Sequence, residues 1–335
     1  MSGIDRQALA DKRVLVTGAG GFIGSHLAET LARGGANVRA FVRYNSRNDH
    51  GWLETTEPAL RETIEIFVGD LVNPEAVAGA IEGCDTVFHL GALIPIPYSY
   101  RHPREYVAAN VTGTLNILEA ARRSDVRRIV HTSTSEVYGT AVTVPIGEHH
   151  PLNAQSPYAA SKIGADQLAL SFFRSFETPV VVARPFNTFG PRQSARAVIP
   201  TVISQALTGT PIALGSMHPT RDFSYVADAV AGFIACGETA GVEGEVINLG
   251  TGIEYSIAEM VAIVLKLIGV DLEVHATSER QRPPGSEVEQ LLAGCEKAKA
   301  LLGWEPQVSF EEGLRRTIEW MRGALHTYKP AVYNV

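Results

Sequence analysis

The segment HTSTSEVYGT, residues 131–140, sets Glu136 directly behind a run of small hydroxyl side chains that closes an apolar stretch. A carboxylate at such a strand end is placed to accept a proton, and Thr134 and Ser135 beside it can orient a substrate hydroxyl. Further on, Tyr158-Ala159-Ala160-Ser161-Lys162 opens a helical pattern after the turn Gln155-Ser156-Pro157. Tyr158 and Lys162 lie at i and i+4 and share one helix face. A free tyrosine titrates near ~10, so work as a base near neutral pH requires about 3 units, or ~4 kcal/mol, of preferential stabilisation of its phenolate. Lys162 and the positive ring of a nicotinamide are the expected sources, which points to alcohol oxidation.

A nicotinamide cofactor needs a cradle, and TGAGGFIG at residues 17–24 has the form of one. Gly18, Gly21 and Gly24 fall where an apolar run turns into a helical pattern. A pyrophosphate would sit on the N–H groups of that helix start, with Phe22 and Ile23 inside its first turn. An acid about 20 residues on would bind a free ribose 2′-hydroxyl. Here FVRYNSRN delivers Arg43 instead, suited to gripping a 2′-phosphate, with Asn45, Ser46 and Arg47 as added donors. NADP is therefore expected over NAD, with NAD still open. Asp70, in VGDL, is placed to bond the adenine amino group.

These groups need a scaffold that brings strand ends together. Arg13–Thr17, Val38–Val42, Ile64–Val68, Thr86–Leu90, Arg128–Thr132 and Val180–Ala183 read as buried strands. Helical patterns lie between them at 22–33, 74–81, 104–122 and 156–175. Strands alternating with helices predict an α/β protein, a Rossmann-type doubly wound parallel sheet. After Arg184 prolines interrupt shorter elements, which predicts a smaller α/β substrate-binding domain. The expected division is a dinucleotide-binding domain over 1–184, with a return segment near 244–268, and a mainly substrate-binding domain over 185–335. Ligands bind beyond the carboxyl ends of such sheets, so a cleft is expected between the two.

The 335 residues are 45% hydrophobic and 19% charged, as in a soluble globular chain with a full core. No apolar stretch has the length of a membrane span, and MSGIDRQALADKR lacks the apolar centre of a signal peptide, so a cytoplasmic location with no membrane partner is expected. With 29 Lys and Arg against 36 Asp and Glu, a net charge of −7 argues against a nucleic-acid surface. Cys84, Cys236 and Cys295 are odd in number and far apart, and are expected to be buried, inert thiols rather than disulfides or zinc ligands. His149-His150 reads as loop, and no metal site is expected.

The glycine turn, the strand-end hydroxyl and the Tyr-x-x-x-Lys pair, in this order, resemble the extended short-chain dehydrogenase/reductase family of nucleotide-sugar epimerases and dehydratases. The resemblance covers nearly the whole chain: HLGA at 89–92, NVTGT at 110–114, ARPFNTFGPR at 183–192, RDFSYVAD at 221–228 and INLGTG at 247–252 are similar to its recurring segments. It implies that Leu71, Leu90 and Ala92 join the cofactor site and that His89 is strand-end structure. Gly91 stands where alanine is common. A nucleotide-diphosphate sugar is the implied substrate, met by Asn187, Arg196, Arg221 and Arg282. Helices near 104–122 and 156–175 resemble those that pair into a four-helix interface, implying a homodimer. The cofactor is implied to be tightly bound and recycled.

Members of this family begin with C4 oxidation by the tyrosine and diverge afterwards. Thr-Ser-Glu at 134–136 resembles the guanosine-diphosphate-mannose 4,6-dehydratases, in which a carboxylate removes the C5 proton while water leaves C6. Ser135 departs from the aspartate of deoxythymidine-diphosphate-glucose dehydratases, so Glu136 is expected to serve both proton transfers. Uridine-diphosphate-glucuronate decarboxylases carry the same run, but Arg221-Asp222 resembles the dehydratases more. The stretches at 41–54, 92–100 and 187–200 most resemble nucleotide-N-acetylglucosamine 4,6-dehydratases of the legionaminic-acid type, with UDP or GDP as carrier and an apolar lid from Ile94 to Tyr98. Hydride return to C6 gives a 4-keto-6-deoxy sugar; return to C4, as in a 5,6-dehydratase, 4-epimerisation, and a non-catalytic dinucleotide-sensing module are the alternatives.

Overall fold

The computed structural model describes residues 9–330 and 332. Met1 to Ala8, most of the N-terminal segment expected to lack a targeting signal, lie outside the described residues, as do residues 331 and 333–335 of the expected substrate domain. The strands are β1 (Arg13–Thr17), β2 (Asn37–Arg43), β3 (Glu65–Gly69), β4 (Thr86–His89), β5 (Arg128–Thr132), β6 (Val180–Pro185), β7 (Asn187–Phe189), β8 (Ile212–Leu214), β9 (Thr220–Tyr225), β10 (Val246–Leu249), β11 (Glu254–Ser256), β12 (Val274–Ala276) and β13 (Gln290–Leu291).

Alternate residues of each central strand feed two different cores, because side chains alternate across a sheet. Val14, Val16, Val181 and Ala183 face one apolar cluster, and Leu15, Val87, Val180 and Val182 the other. A strand buried on both faces belongs inside a helix-covered parallel sheet. The result is a seven-stranded parallel sheet in the order β10-β6-β5-β4-β1-β2-β3. The order reverses between β1 and β4, and the carboxyl ends of these strands open the crevice in which doubly wound folds hold ligands.

The helical patterns expected at 74–81 and 156–175 appear as Pro74–Ile81 and Pro157–Phe176. Asn73 caps the first by accepting from Ala76 N at 2.9 Å, and Ser156 caps the second through Ala159 N at 3.1 Å. The continuous helix expected over 104–122 is broken into Pro103–Tyr106, a π-helical turn Val107–Thr112 and Gly113–Arg123. Asn110 lies in that turn: its amide exchanges hydrogen bonds with the Leu93 backbone and donates to Ser161 Oγ at 2.9 Å. The wider turn thus ties the start of the 94–101 segment to the helix that carries Tyr158 and Lys162.

The expected return segment delivers β10 to the sheet edge beside β6. Its helix, Ile257–Ile268, packs instead on Val198–Leu207 and Phe310–Ala324, whereas Val226–Glu238 covers the large sheet beside Phe22–Arg33. The second region holds β11-β9-β13, with β7 also on β9, and the pair β12-β8. Its apolar residues, including Phe189, Ile199 and Leu314, are continuous with those under β1 and β6. Phe223 and Phe310 stack there at a centroid distance of 5.1 Å. No helix among the described residues is long and apolar enough to cross a membrane.

Candidate active site

A cavity of about 780 Å³ runs along the carboxyl ends of the sheet, from the glycine turn after β1 to the loops of the second region. Gly18 adopts φ +69°, and a Cβ there would lie 2.9 Å from Gly91 Cα, while one on Gly24 would lie 2.2 Å from the Gly18 carbonyl oxygen. Only glycine lets the turn, the β4 loop and the helix approach this closely. The helix Phe22–Arg33 begins without a side-chain cap. An uncapped helix start in a glycine cradle fits a pyrophosphate, and Gly18, Gly21, Phe22, Ile23 and Gly24, with Leu90 and Ala92 opposite, all line the cavity. A Cβ on Gly91 would lie 2.7 Å from Leu71 Cδ1, the end of a flexible side chain.

The other expected cofactor residues are placed differently. Arg43 lines the cavity with its side chain 78% exposed, its Nε 3.6 Å from Asp70 Oδ2. Asn45 is spent on its own loop, accepting from Arg47 N and Asp49 N and donating to Asp49 O. Ser46 is exposed, and neither Asn45, Ser46, Asp70 nor Leu71 lines the cavity. The loop after β2 instead brings Asp49, His50 and Gly51 to the glycine turn, with Trp52 N donating to Gly20 O at 2.9 Å. These were missed because a short-range reading cannot foresee where an irregular loop folds back.

Thr134, Ser135 and Glu136 enter the cavity from the β5 end and line it together with Tyr158 and Lys162. Thr134 Oγ1 caps the 3₁₀ turn Ser135–Tyr138 by accepting from Glu136 N, which holds the carboxylate at the strand mouth. Burial pushes the Tyr158 phenol far up; the Thr134 hydroxyl opposes this, and the Glu136 charge adds to it. Lys162, one turn along the same helix face, lowers the pKa values of His89, His131 and Asp166 through its charge.

Burial lowers Lys162 from 10.5 to about 8, with Asp166 pulling the other way. Between those values the unfolded chain holds a proton that the fold has lost, so stability rises with pH from about 8 to 10.5. Below that window the net cost of burying the charge beside Asp166, roughly 3 kcal/mol, is present. Lys162→Met is accordingly expected to raise the free energy of urea unfolding at pH 7 by up to roughly 3 kcal/mol while removing oxidation of substrate.

Asp166, one turn beyond Lys162, is fully buried in a polar cluster that the sequence reading did not single out. Ser133 Oγ donates to its Oδ2 at 2.6 Å, Arg184 Nη2 and Nε donate to the same oxygen at 2.9 and 3.2 Å, and His131 Nε2 lies 3.1 Å from Oδ1. Arg184 Nη1 also donates to Tyr138 Oη, which donates to Asn248 Oδ1. The cluster thus joins β5, β6, β10 and the helix Pro157–Phe176. The spacing Tyr158, Lys162, Asp166 could have disclosed it, since all three share a helix face. His89 is held between Thr17 Oγ1 and Thr114 Oγ1, with burial lowering its pKa, as strand-end structure requires.

The far end of the cavity carries Asn187, Arg196, Arg221 and Arg282. Asn187 Nδ2 is buried without a hydrogen-bond partner among the described residues, and Arg196 stands exposed at the rim. Arg221 is buried, donating to Thr220 O at 2.8 Å. Asp222 turns the other way and accepts from Thr251 N, Gly252 N and Ala293 N, anchoring loops rather than substrate. Glu287, which no local pattern marked, joins the two arginines. Of the segment expected as a lid, Ile94, Pro95, Ile96 and Pro97 line the cavity, whereas the Tyr98 hydroxyl donates to Glu105 Oε2 at 2.9 Å. Cys84 and Cys236 are buried and Cys295 half-buried; burial pushes the three thiols up to about 11, 12 and 12. His150 accepts from Val142 N at 3.0 Å, and its other ring nitrogen lies 2.9 Å from Pro151 O.

The family model described as GDP-mannose 4,6 dehydratase matches residues 15–317. A UDP-glucuronic acid decarboxylase 1 of Xenopus tropicalis is 34% identical over 325 residues, covering 94% of this chain and 73% of its own. An epimerase of Methanothermobacter thermautotrophicus superposes with a TM-score of 0.86 at 34% identity, over 96% of this chain and 95% of that one. The dTDP-glucose 4,6-dehydratase of Streptomyces venezuelae, solved with NAD bound, superposes with a TM-score of 0.85 at 30% identity, over 95% and 99%.

Proposed function

Since the chain belongs to the extended short-chain dehydrogenase/reductase family of nucleotide-sugar dehydratases, epimerases and decarboxylases, we propose that it is a 4,6-dehydratase acting on N-acetylglucosamine carried by UDP or GDP. The observation that carries this reading is Glu136, a carboxylate set in the same cavity as Tyr158 and close enough for its charge to act on that phenol. Epimerisation has no need of such a base.

A bound nicotinamide dinucleotide supplies a hydride acceptor and donor. Tyr158 takes the proton of the sugar's C4 hydroxyl, with Thr134 holding that oxygen, as the C4 hydride departs. The C4 ketone makes the C5 proton acidic, and Glu136 removes it. The C6–oxygen bond breaks, and the leaving hydroxide takes the proton from Glu136 and departs as water, with Ser135 orienting it. Hydride then adds to C6 while Glu136, reprotonated from solvent, returns a proton to C5. Tyr158 releases its proton to solvent, which balances the cycle and leaves a 4-keto-6-deoxy sugar. The final step needs a phenol that loses its proton readily. Burial opposes this, so Lys162 and the positive ring of a bound cofactor would together supply the counter-charge.

Incubation with UDP-, GDP-, dTDP- and CDP-sugars, followed by product mass, tests the reading: loss of water supports it. Loss of carbon dioxide would establish the second reading, decarboxylation, which the Xenopus relative favours. An unchanged mass would mean epimerisation.

Arg43 at the cavity mouth supports NADP as cofactor, against the NAD of the Streptomyces relative. If a 2′-phosphate is gripped there, Arg43→Ala should weaken NADP binding about tenfold and leave NAD binding unchanged, as read by calorimetry. A homodimer is proposed through the helices spanning 103–123 and 157–176, on which Val107 and Phe176 are exposed; a monomeric mass by light scattering would exclude it. A cytoplasmic location belongs to the same proposal.

A further inference from the structure

Glu287 follows the turn Pro283-Pro284-Gly285 and reaches the cavity from the second region, yet the reaction above gives it no step. Its Oε1 lies 3.6 Å from Arg221 Nη2 and 3.7 Å from Arg282 Nη1. The same Arg282 Nη1 lies 3.9 Å from Glu136 Oε2. These separations are too long for hydrogen bonds. Arg282 Nη1, although buried, has no hydrogen-bond partner among the described residues. One guanidinium nitrogen therefore stands nearly equidistant from two carboxylates whose side chains are 12% and 13% exposed, and it completes a bond to neither.

We propose that Glu287 is a positioning residue that shares the Arg282 guanidinium with Glu136 and so keeps it from closing a full ion pair on the reacting carboxylate. The proposal rests on the dehydratase reading for its catalytic consequence. A carboxylate locked to a guanidinium is a poor acceptor of a carbon-bound proton, because the pair favours its charged form. Held between two carboxylates, Arg282 keeps a free N–H for an incoming diphosphate, and Arg221 lies 3.6 Å from the same Glu287 oxygen. Loss of the Glu287 charge leaves Glu136 as the remaining carboxylate at that nitrogen, and Arg282 closes on it. Elimination then slows, whereas C4 oxidation, carried by Tyr158, Lys162 and Thr134, does not.

The experiment compares full-length holoenzyme with Glu287→Gln, Glu287→Asp, Glu136→Gln and the double variant Glu136→Gln/Glu287→Gln, each checked for an unchanged melting temperature. In single turnovers Glu287→Gln should reduce bound cofactor at the wild-type rate but eliminate water about tenfold more slowly, and Glu287→Asp should recover most of that loss. In parallel, calorimetry measures whichever of UDP, GDP, dTDP and CDP binds the wild type. Because both carboxylates act through Arg282, the two glutamine substitutions should be non-additive in that affinity by at least about threefold. Additive affinities, an unchanged elimination rate in Glu287→Gln, or oxidation slowed as much as elimination would each overturn the inference. If wild type releases no water the dehydratase reading fails instead, and the binding cycle, which needs no turnover, still decides whether Arg282 is shared.

Discussion

Glu136→Gln is expected to lower the rate of water elimination about 10³-fold, ~4 kcal/mol of transition-state stabilisation, while C4 oxidation survives. The amide keeps the size of the side chain but cannot accept the C5 proton or pass it to the leaving hydroxyl, so both transfers assigned to one group fail together. Oxidation should persist because Tyr158, Lys162 and Thr134 are untouched, and removing the carboxylate's charge, which raises the Tyr158 phenol, makes its phenolate easier to form. The check is a single-turnover experiment that follows nicotinamide absorbance beside product mass. Cofactor that is reduced and stays reduced, with no loss of water, is the expected outcome; dehydration at the wild-type rate would remove Glu136 from the mechanism.

Asp166→Asn is expected to cost about 3–5 kcal/mol of folding stability, the largest structural effect foreseen outside the sheet core. The substitution keeps the shape and removes the charge that compensates Arg184, itself 2% exposed. Burial pushes the Asp166 carboxyl up, but the His131 hydrogen bond and the Arg184 charge outweigh it and hold it below its ordinary value. A group depressed in this way contributes stability above its unfolded value, near ~3.9, and loses it as pH falls through the folded value. The difference between wild type and variant in urea unfolding should therefore be full at neutral pH and shrink in acid. A variant as stable as wild type at pH 7 would mean that Arg184 is compensated elsewhere.

Periodicity disclosed the scaffold because a parallel sheet covered on both faces demands apolar strands and helices with one apolar stripe. Both demands are local and visible in 10–15 residues. The same locality explains what it missed. The 104–122 pattern is helical throughout in sequence, and its π turn exists because Asn110 finds partners in Leu93 and Ser161, 17 and 51 residues away. Asn45 and Ser46 have the chemistry of phosphate donors, but the loop spends Asn45 on its own turn and points neither at the cavity.

What the sequence by itself determined was the glycine turn, the strand-end hydroxyls with Glu136, and the Tyr158–Lys162 pair. Each is set by spacing within one strand–turn–helix unit, and each lines one cavity. What only the tertiary structure decided was the charge around them: that Lys162 is buried with Asp166 acting on it, that Asp166 is held by Arg184, and that Glu287 meets Arg282 beside Glu136. Electrostatic energy depends on distance through space and on the water excluded around each group. Neither is settled until β5, β6, the helix Pro157–Phe176 and the loop carrying Arg282 and Glu287 have packed together.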